Sequence, residues 1–232
     1  MSRLLPILFN TEMVRAILDG RKTVTRRVIK PQPEPEQIYK IGYCIAGDKR
    51  NIGKYGFGTN EYGGRILFVK PPCKYGDILY VREAFCPNYF DEGLAGYRGD
   101  GLRGNRTAYK ADYHRETIGD VVPEPKWRPS IHMPKEAARI WLKVTDVRVE
   151  RLQEINDKEA KKEGVPLEKE ITYIGEGFQT NDFAELWDYT IKKSDFDRYG
   201  WDANPWVWVI DFERCEKPNN YYLGEKQNAI CD

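Results

Sequence analysis

The run Gly20-Arg21-Lys22-Thr23-Val24-Thr25-Arg26-Arg27 gathers one amine, two hydroxyls and three guanidinium groups at a single corner of the chain. That combination suits two chemistries. An amine beside a hydroxyl can activate an oxygen nucleophile, and clustered guanidiniums can hold an anion or a developing negative charge. A plainer reading competes with both: a solvated basic corner between a helix and a strand.

Local pattern says how these groups are carried. In Phe9-Asn10-Thr11-Glu12-Met13-Val14-Arg15-Ala16-Ile17-Leu18-Asp19, Met13, Ile17 and Leu18 recur at helical spacing, and Asn10 or Thr11 is available as the cap. Gly20 follows where a left-handed helix end costs least. After it, Thr23, Val24, Thr25, Val28 and Ile29 are β-branched and favour an extended chain. Strand alternation sets Thr23 and Thr25 on one face and Lys22 and Val24 on the other, so Lys22 meets Thr25 only if it curls back at the turn.

The helix followed by Gly-Arg-Lys-Thr-x-Thr-x-Arg resembles the signature of the ASCH domain, a relative of the PUA RNA-binding fold. A second segment is similar to the family as well: Val147-Arg148-Val149-Glu150-Arg151-Leu152-Gln153-Glu154-Ile155-Asn156, then Asp157-Lys158-Glu159-Ala160-Lys161-Lys162-Glu163-Gly164, a strand and a short helix ending in glutamate. In the bacterial N4-acetylcytidine amidohydrolases of that superfamily, a Lys-x-x-Thr pair and such a glutamate form the proposed catalytic set. The resemblance assigns these roles to Lys22, Thr25 and Glu163, with the motif arginine at Arg27. Between the two segments the similarity is thin, and this chain is longer than the compact amidohydrolases.

Composition bounds the rest. A chain of 232 residues is long enough to bury a core. Its 37 basic and 36 acidic residues leave a net charge of +1, so any nucleic-acid contact has to be local rather than driven by a global field. No apolar run approaches a membrane span, and Met1-Ser2-Arg3-Leu4-Leu5-Pro6 breaks too early for a secretion signal, so a cytoplasmic protein with no membrane partner is expected. Cys44, Cys73, Cys86, Cys215 and Cys231 are scattered and never form Cys-x-x-Cys; they read as reduced thiols. With His114 and His132 the only histidines, neither a metal nor a cofactor is expected.

Further along, Pro31 to Glu36 reads as a stiff polar connection, and 41–64 as a loop-heavy insertion or irregular hairpin. Gly76-Asp77-Ile78-Leu79-Tyr80-Val81-Arg82-Glu83 is a turn and a strand, a pattern that also resembles ASCH and PUA barrels. If Leu79 and Val81 face the core, Glu83 is semi-buried beside a basic partner such as Arg27 or Lys22, a second carboxylate near the site. Residues 88–124 look like a second insertion, a lid or partner surface.

Trp127-Arg128-Pro129-Ser130-Ile131-His132-Met133-Pro134 offers a planar ring and a planar cation suited to a base and a phosphate or sugar; the alternative sends Trp127 and Met133 into the core and His132 to a backbone carbonyl. Ser130 and His132 lack an orienting carboxylate and do not make a hydrolase dyad. Arg139 to Val149 is the strongest strand signal. Asn156 caps a helix over Asp157 to Lys162, and Glu163 sits at its dipole-disfavoured end, tolerable only with a cation nearby. A short helix at Phe183 to Tyr189 and a closing strand at Trp206 to Arg214 complete the pattern. Trp206, Trp208, Ile210 and Phe212 share one face of that strand, as core first and stacking platform second.

The fold expected from these blocks is α+β: a PUA-like small mixed β-barrel with short helices and long loop insertions. It forms a single domain over 1–217, with insertions at about 36–64 and 88–126 and a tail at 218–232. The function expected through the resemblance is removal of an acyl group from the exocyclic N4 of acylated cytosine or cytidine. Lys22, Thr25 and Glu163 are catalytic, and Arg21, Arg26, Arg27, Glu83, Trp127, Arg128, Ser130 and His132 bind the substrate. The partner is a small nucleoside or modified base. An RNA-binding or modified-base module without catalysis, and a metal-independent ribonuclease, are the alternatives.

Overall fold

The structure is a computed structural model that describes residues 2–35, 37, 39–59, 64–89, 106–113, 125–165 and 178–218. The chain divides into two compact units interleaved in sequence. The first takes Met1–Gly20, Asp77–Lys143 and Arg214–Asp232, and the second Arg21–Gly76 and Val144–Glu213. The fold is α+β. A five-stranded sheet has the order β1-β6-β9-β10-β2, beside one three-stranded and one two-stranded sheet. Among the described residues the five strands form an open sheet ending at β1 and β2, and not the closed barrel expected. A barrel needs its first and last strands to bond to each other.

In the first unit, β1 (Leu4–Leu8) runs parallel to β6 (Ile78–Arg82), with Leu4 opposite Ile78 and Leu8 opposite Arg82. Asp77 fixes that register. Its fully buried carboxylate accepts from the Arg3 backbone N–H at 2.9 Å, Nε at 3.0 Å and Nη2 at 2.5 Å, which neutralises a charge that burial would otherwise make costly. Helix α1 (Thr11–Leu18) starts on Asn10, whose Oδ1 accepts from Met13 N–H at 2.8 Å, and closes on Gly20 at φ 76°. The two-stranded sheet pairs β7 (Phe85–Tyr89), at the entry to the second expected insertion, with β8 (Arg106–Tyr109) inside it; 90–105 and 114–124, with His114, lie outside the described residues. Phe85, Met133, Ala138 and Trp141 form the local core.

The second unit is layered. Its middle layer is β2 (Val24–Val28), β10 (Trp206–Cys215) and the body of β9 (Trp141–Arg151), with β10 antiparallel to β2 and Ile210 opposite Thr25. Val207 and Val209 turn to one side. There they meet Ala160 of α2 (Asp157–Lys162) and Phe183 and Trp187 of α3 (Phe178–Thr190); the short α4 (Phe196–Tyr199) follows. Trp206 and Trp208 turn to the other side. The first insertion and the strand after it cover them: β3 (Tyr39–Tyr43), β4 (Tyr55–Gly58) and, past the expected bounds, β5 (Leu67–Val69) form an antiparallel sheet whose Phe57 ring lies 5.1 Å from Trp206 and whose Tyr55 ring lies 5.2 Å from Trp208. The tryptophan face of β10 is therefore core, and the segment read as loop-heavy is the irregular hairpin, with a register shift between Lys40 and Gly42, that buries it. The expected tail at 219–232 lies outside the described residues.

Candidate active site

The site is built where the segment before β2 meets the end of α2. Asn156 starts that helix, its side chain accepting from Glu159 N–H at 3.1 Å, and Gly164 at φ 79° ends it. The last carbonyls of a helix have no partner within it. Here Thr23 N–H donates to Lys162 O at 2.8 Å, Lys22 Nζ to Glu163 O at 2.8 Å and Arg21 Nη1 to Gly164 O at 3.1 Å. The positively charged side chains also suit the negative end of the dipole.

The same closure joins two residues 141 positions apart. Lys22 Nζ donates to Glu163 Oε2 at 2.6 Å, with 2% of Lys22 and 4% of Glu163 exposed. A carboxylate at a helix C-terminus is disfavoured unless cations offset it. Lys22 does so, and Arg26 Nη1 adds a bond to Oε1 at 3.2 Å. Burial pulls the Lys22 pKa below the ordinary lysine value. The Glu163 charge and hydrogen bond oppose that shift without overcoming it, and Arg27 and Arg26 reinforce it. Burial likewise lowers the affinity of Arg27 for its proton, against the pull of Glu163.

Strand alternation separates the remaining members. Val24 and Val28 turn to the α2 and α3 core, and Arg26 shares their face, its guanidinium carbon 5.9 Å from the Phe183 ring centroid. Thr25, buried at 2% exposure, and Arg27 take the opposite face of β2. Because β2 is the edge of its sheet, Glu163 bonds to Arg26 from one face while Arg27, on the other, acts on both Glu163 and Lys22 through its charge.

Arg26, expected on substrate, is tied up by carboxylates: besides Glu163, its Nη2 reaches Glu159 Oε2 at 2.5 Å and Glu150 Oε2 at 3.2 Å, while its buried Nε has no hydrogen-bond partner among the described residues. Arg21 is committed in part to the helix end. Arg148, Glu150 and Glu159 surround Arg26 as well, and none of them is among the residues expected at the site. The spacing held a signal: Glu159 and Glu163 are one helical turn apart, and Arg148 and Glu150 alternate onto one strand face.

Five expected substrate-binding residues belong to the first unit. Glu83 is buried at 1% exposure, and its basic partner is Arg139 rather than Arg27 or Lys22, with Nε at 2.9 Å and Nη2 at 3.0 Å; Asp112 holds the other edge of that guanidinium, and the Tyr109 ring lies 4.0 Å from its carbon. Burial raises the Glu83 pKa against the opposing pull of Arg139. Trp127 is half-buried, edge-on to Tyr113 at 5.3 Å, whereas Met133 is core. Arg128 and His132 are exposed and Ser130 half-buried. Arg82 holds this segment by donating to the carbonyls of Met133, at 2.8 Å, and Ile131.

Among the described residues, no three or more His, Cys, Asp or Glu side chains are grouped to hold a metal, and no helix is long and apolar enough to cross a membrane. Comparison of the chain with models of protein families, with curated proteins and with solved structures gave no match.

Proposed function

We propose that this protein is an amidohydrolase that removes an acyl group from the exocyclic N4 of acylated cytosine or cytidine, and that it is a distant ASCH and PUA-like relative. The observation that carries the reading is the buried Lys22–Glu163 pair, in which burial weakens the amine's hold on its proton although a carboxylate lies at 2.6 Å. A lysine in that state can act as a base at a pH where an exposed one cannot.

In this mechanism the unprotonated Lys22 amine takes the Thr25 hydroxyl proton, and the Thr25 oxygen bonds to the acyl carbon. Arg27, on the face of Thr25, stabilises the resulting oxyanion. The carbon–nitrogen bond breaks as N4 takes the proton from the Lys22 ammonium, leaving an acyl ester on Thr25. Water, giving its proton to Glu163, then adds to that ester and releases the carboxylic acid; the proton returns to the Thr25 oxygen. The test is release of cytidine from N4-acetylcytidine. Lys22→Ala and Thr25→Ala should each lower the rate by about 100-fold or more. Parental rates in Lys22→Ala would overturn the assignment.

A second reading is a binding module for RNA or a modified base. The closure of the α2 end by Arg21, Lys22 and Thr23 favours it, because it gives the motif a purely structural task. Salt-dependent RNA binding with no turnover of any acylated nucleoside would establish it. Metal-independent cutting of single-stranded RNA would point instead to the ribonuclease.

A further inference from the structure

Arg26 and Arg148 share two carboxylates. Arg26 Nη2 donates to Glu150 Oε2 at 3.2 Å and Glu159 Oε2 at 2.5 Å, while Arg148 donates from Nε to Glu150 Oε1 at 2.5 Å and from Nη2 to Glu159 Oε1 at 2.7 Å. Each glutamate therefore spends one oxygen on each arginine, and the four side chains close a ring. Arg148 is held on its far side by Asp211 and, at 3.5 Å, by Asp146.

The ring adjoins the buried pair through one bond, from Arg26 Nη1 to Glu163 Oε1 at 3.2 Å. That bond is long for a charged donor and acceptor, whereas the bond from Arg26 to Glu159 is short. Glu163 meanwhile holds Lys22 at 2.6 Å. Arg26 is thus drawn toward Glu159, and Glu163 is left to the amine.

We propose that Glu159 is a positioning residue: by holding Arg26 against Arg148, it limits the grip of Arg26 on Glu163 and reserves that carboxylate for Lys22. Its consequence for turnover rests on the amidohydrolase reading; its consequence for the Lys22 amine does not.

The signs follow from the charges. Glu163 from α2 and Arg26 and Arg27 from β2 act on Lys22, with Arg21 bonded at Gly164 beside it; Arg26 in turn faces Glu159 from α2, Glu150 from β9 and the uncharged Phe183 ring from α3. Neutralising Glu159 leaves Arg26 less compensated and turns it toward Glu163. Both changes weaken the hold of Lys22 on its proton. Removing Arg148 works in the opposite direction, because the glutamate oxygens it occupied become available to Arg26. Charge alone gives these opposite signs as well; positioning adds that Glu159→Asp, which keeps the charge but shortens its reach to Arg26, also lowers the midpoint.

The experiment is an NMR pH titration of lysine side chains in the full chain, with the Lys22 resonance identified by its loss in Lys22→Met. Glu159→Gln should lower the Lys22 midpoint by about one pH unit, Arg148→Gln should raise it, and Glu159→Asp should lie nearer the parent than Glu159→Gln does. An unchanged or raised midpoint in Glu159→Gln, or a midpoint in Glu159→Asp equal to that of the parent, would overturn the proposal. If Glu159→Gln fails to fold, the midpoint in Glu159→Asp decides. Should the parent hydrolyse N4-acetylcytidine, its pH profile should move with the midpoint. A lowered midpoint in Glu159→Asp, with no turnover by the parent, would support the positioning and refute only the hydrolase.

Discussion

Replacing Glu163 by Gln should cost more stability than replacing Lys22 by Met, although the two side chains form one ion pair. Glu163→Gln leaves Lys22 buried with Arg26 and Arg27 nearby and no carboxylate against it. Breaking a buried pair in this way costs about 3–5 kcal/mol. Lys22→Met leaves Glu163 bonded to Arg26 at 3.2 Å, so the charge keeps a partner and the loss is closer to a hydrogen bond at the helix end and part of the pair, about 1–2 kcal/mol. The pH dependence separates the two further. Lys22 has a folded pKa below its unfolded value, so the unfolded chain binds more protons between the two, and stability rises with pH through that window, up to about 10.4. Glu163→Gln removes the groups that hold the folded pKa up, widens the window, and should recover stability at up to about 1.4 kcal/mol per pH unit as the solution is made alkaline. Urea unfolding of both variants and the parent at pH 7 and pH 9 measures this directly. Equal losses in the two variants, or a Glu163→Gln penalty that does not shrink at pH 9, would refute the reasoning.

Gly164→Ala forces a side chain into a left-handed backbone at φ 79° and should cost about 1–2 kcal/mol in thermal or urea unfolding, with the strain falling on the peptide that places Glu163. In the first unit, Glu83 has its pKa raised by burial, so its stabilising contribution is complete below the ordinary glutamate pKa and declines as pH rises through the folded value. Glu83→Gln lacks that titration, so the stability of the variant relative to the parent should improve as the pH is raised above about 4 in urea titrations.

Elements whose causes are local are legible in the residues alone. Asn10 and Asn156 accept from backbone groups three residues on, Gly20 supplies a left-handed end, and β-branched residues mark β2; these depend on neighbours in the chain, whereas β9, at Trp141–Arg151, runs two residues later than the Arg139 to Val149 expected. The resemblance named Lys22 and Glu163, and the structure brings them into contact. Tertiary structure alone decided the rest, because charge partners and burial depend on residues distant in sequence. Glu83 went to Arg139, Arg26 went to three carboxylates, and the hairpin from the first insertion settled on Trp206 and Trp208, because each buried charge or ring takes the partner that folding places beside it. The balance at Lys22, where desolvation outweighs a carboxylate in contact, is likewise a property of depth, and depth has no signature in a local pattern of residues.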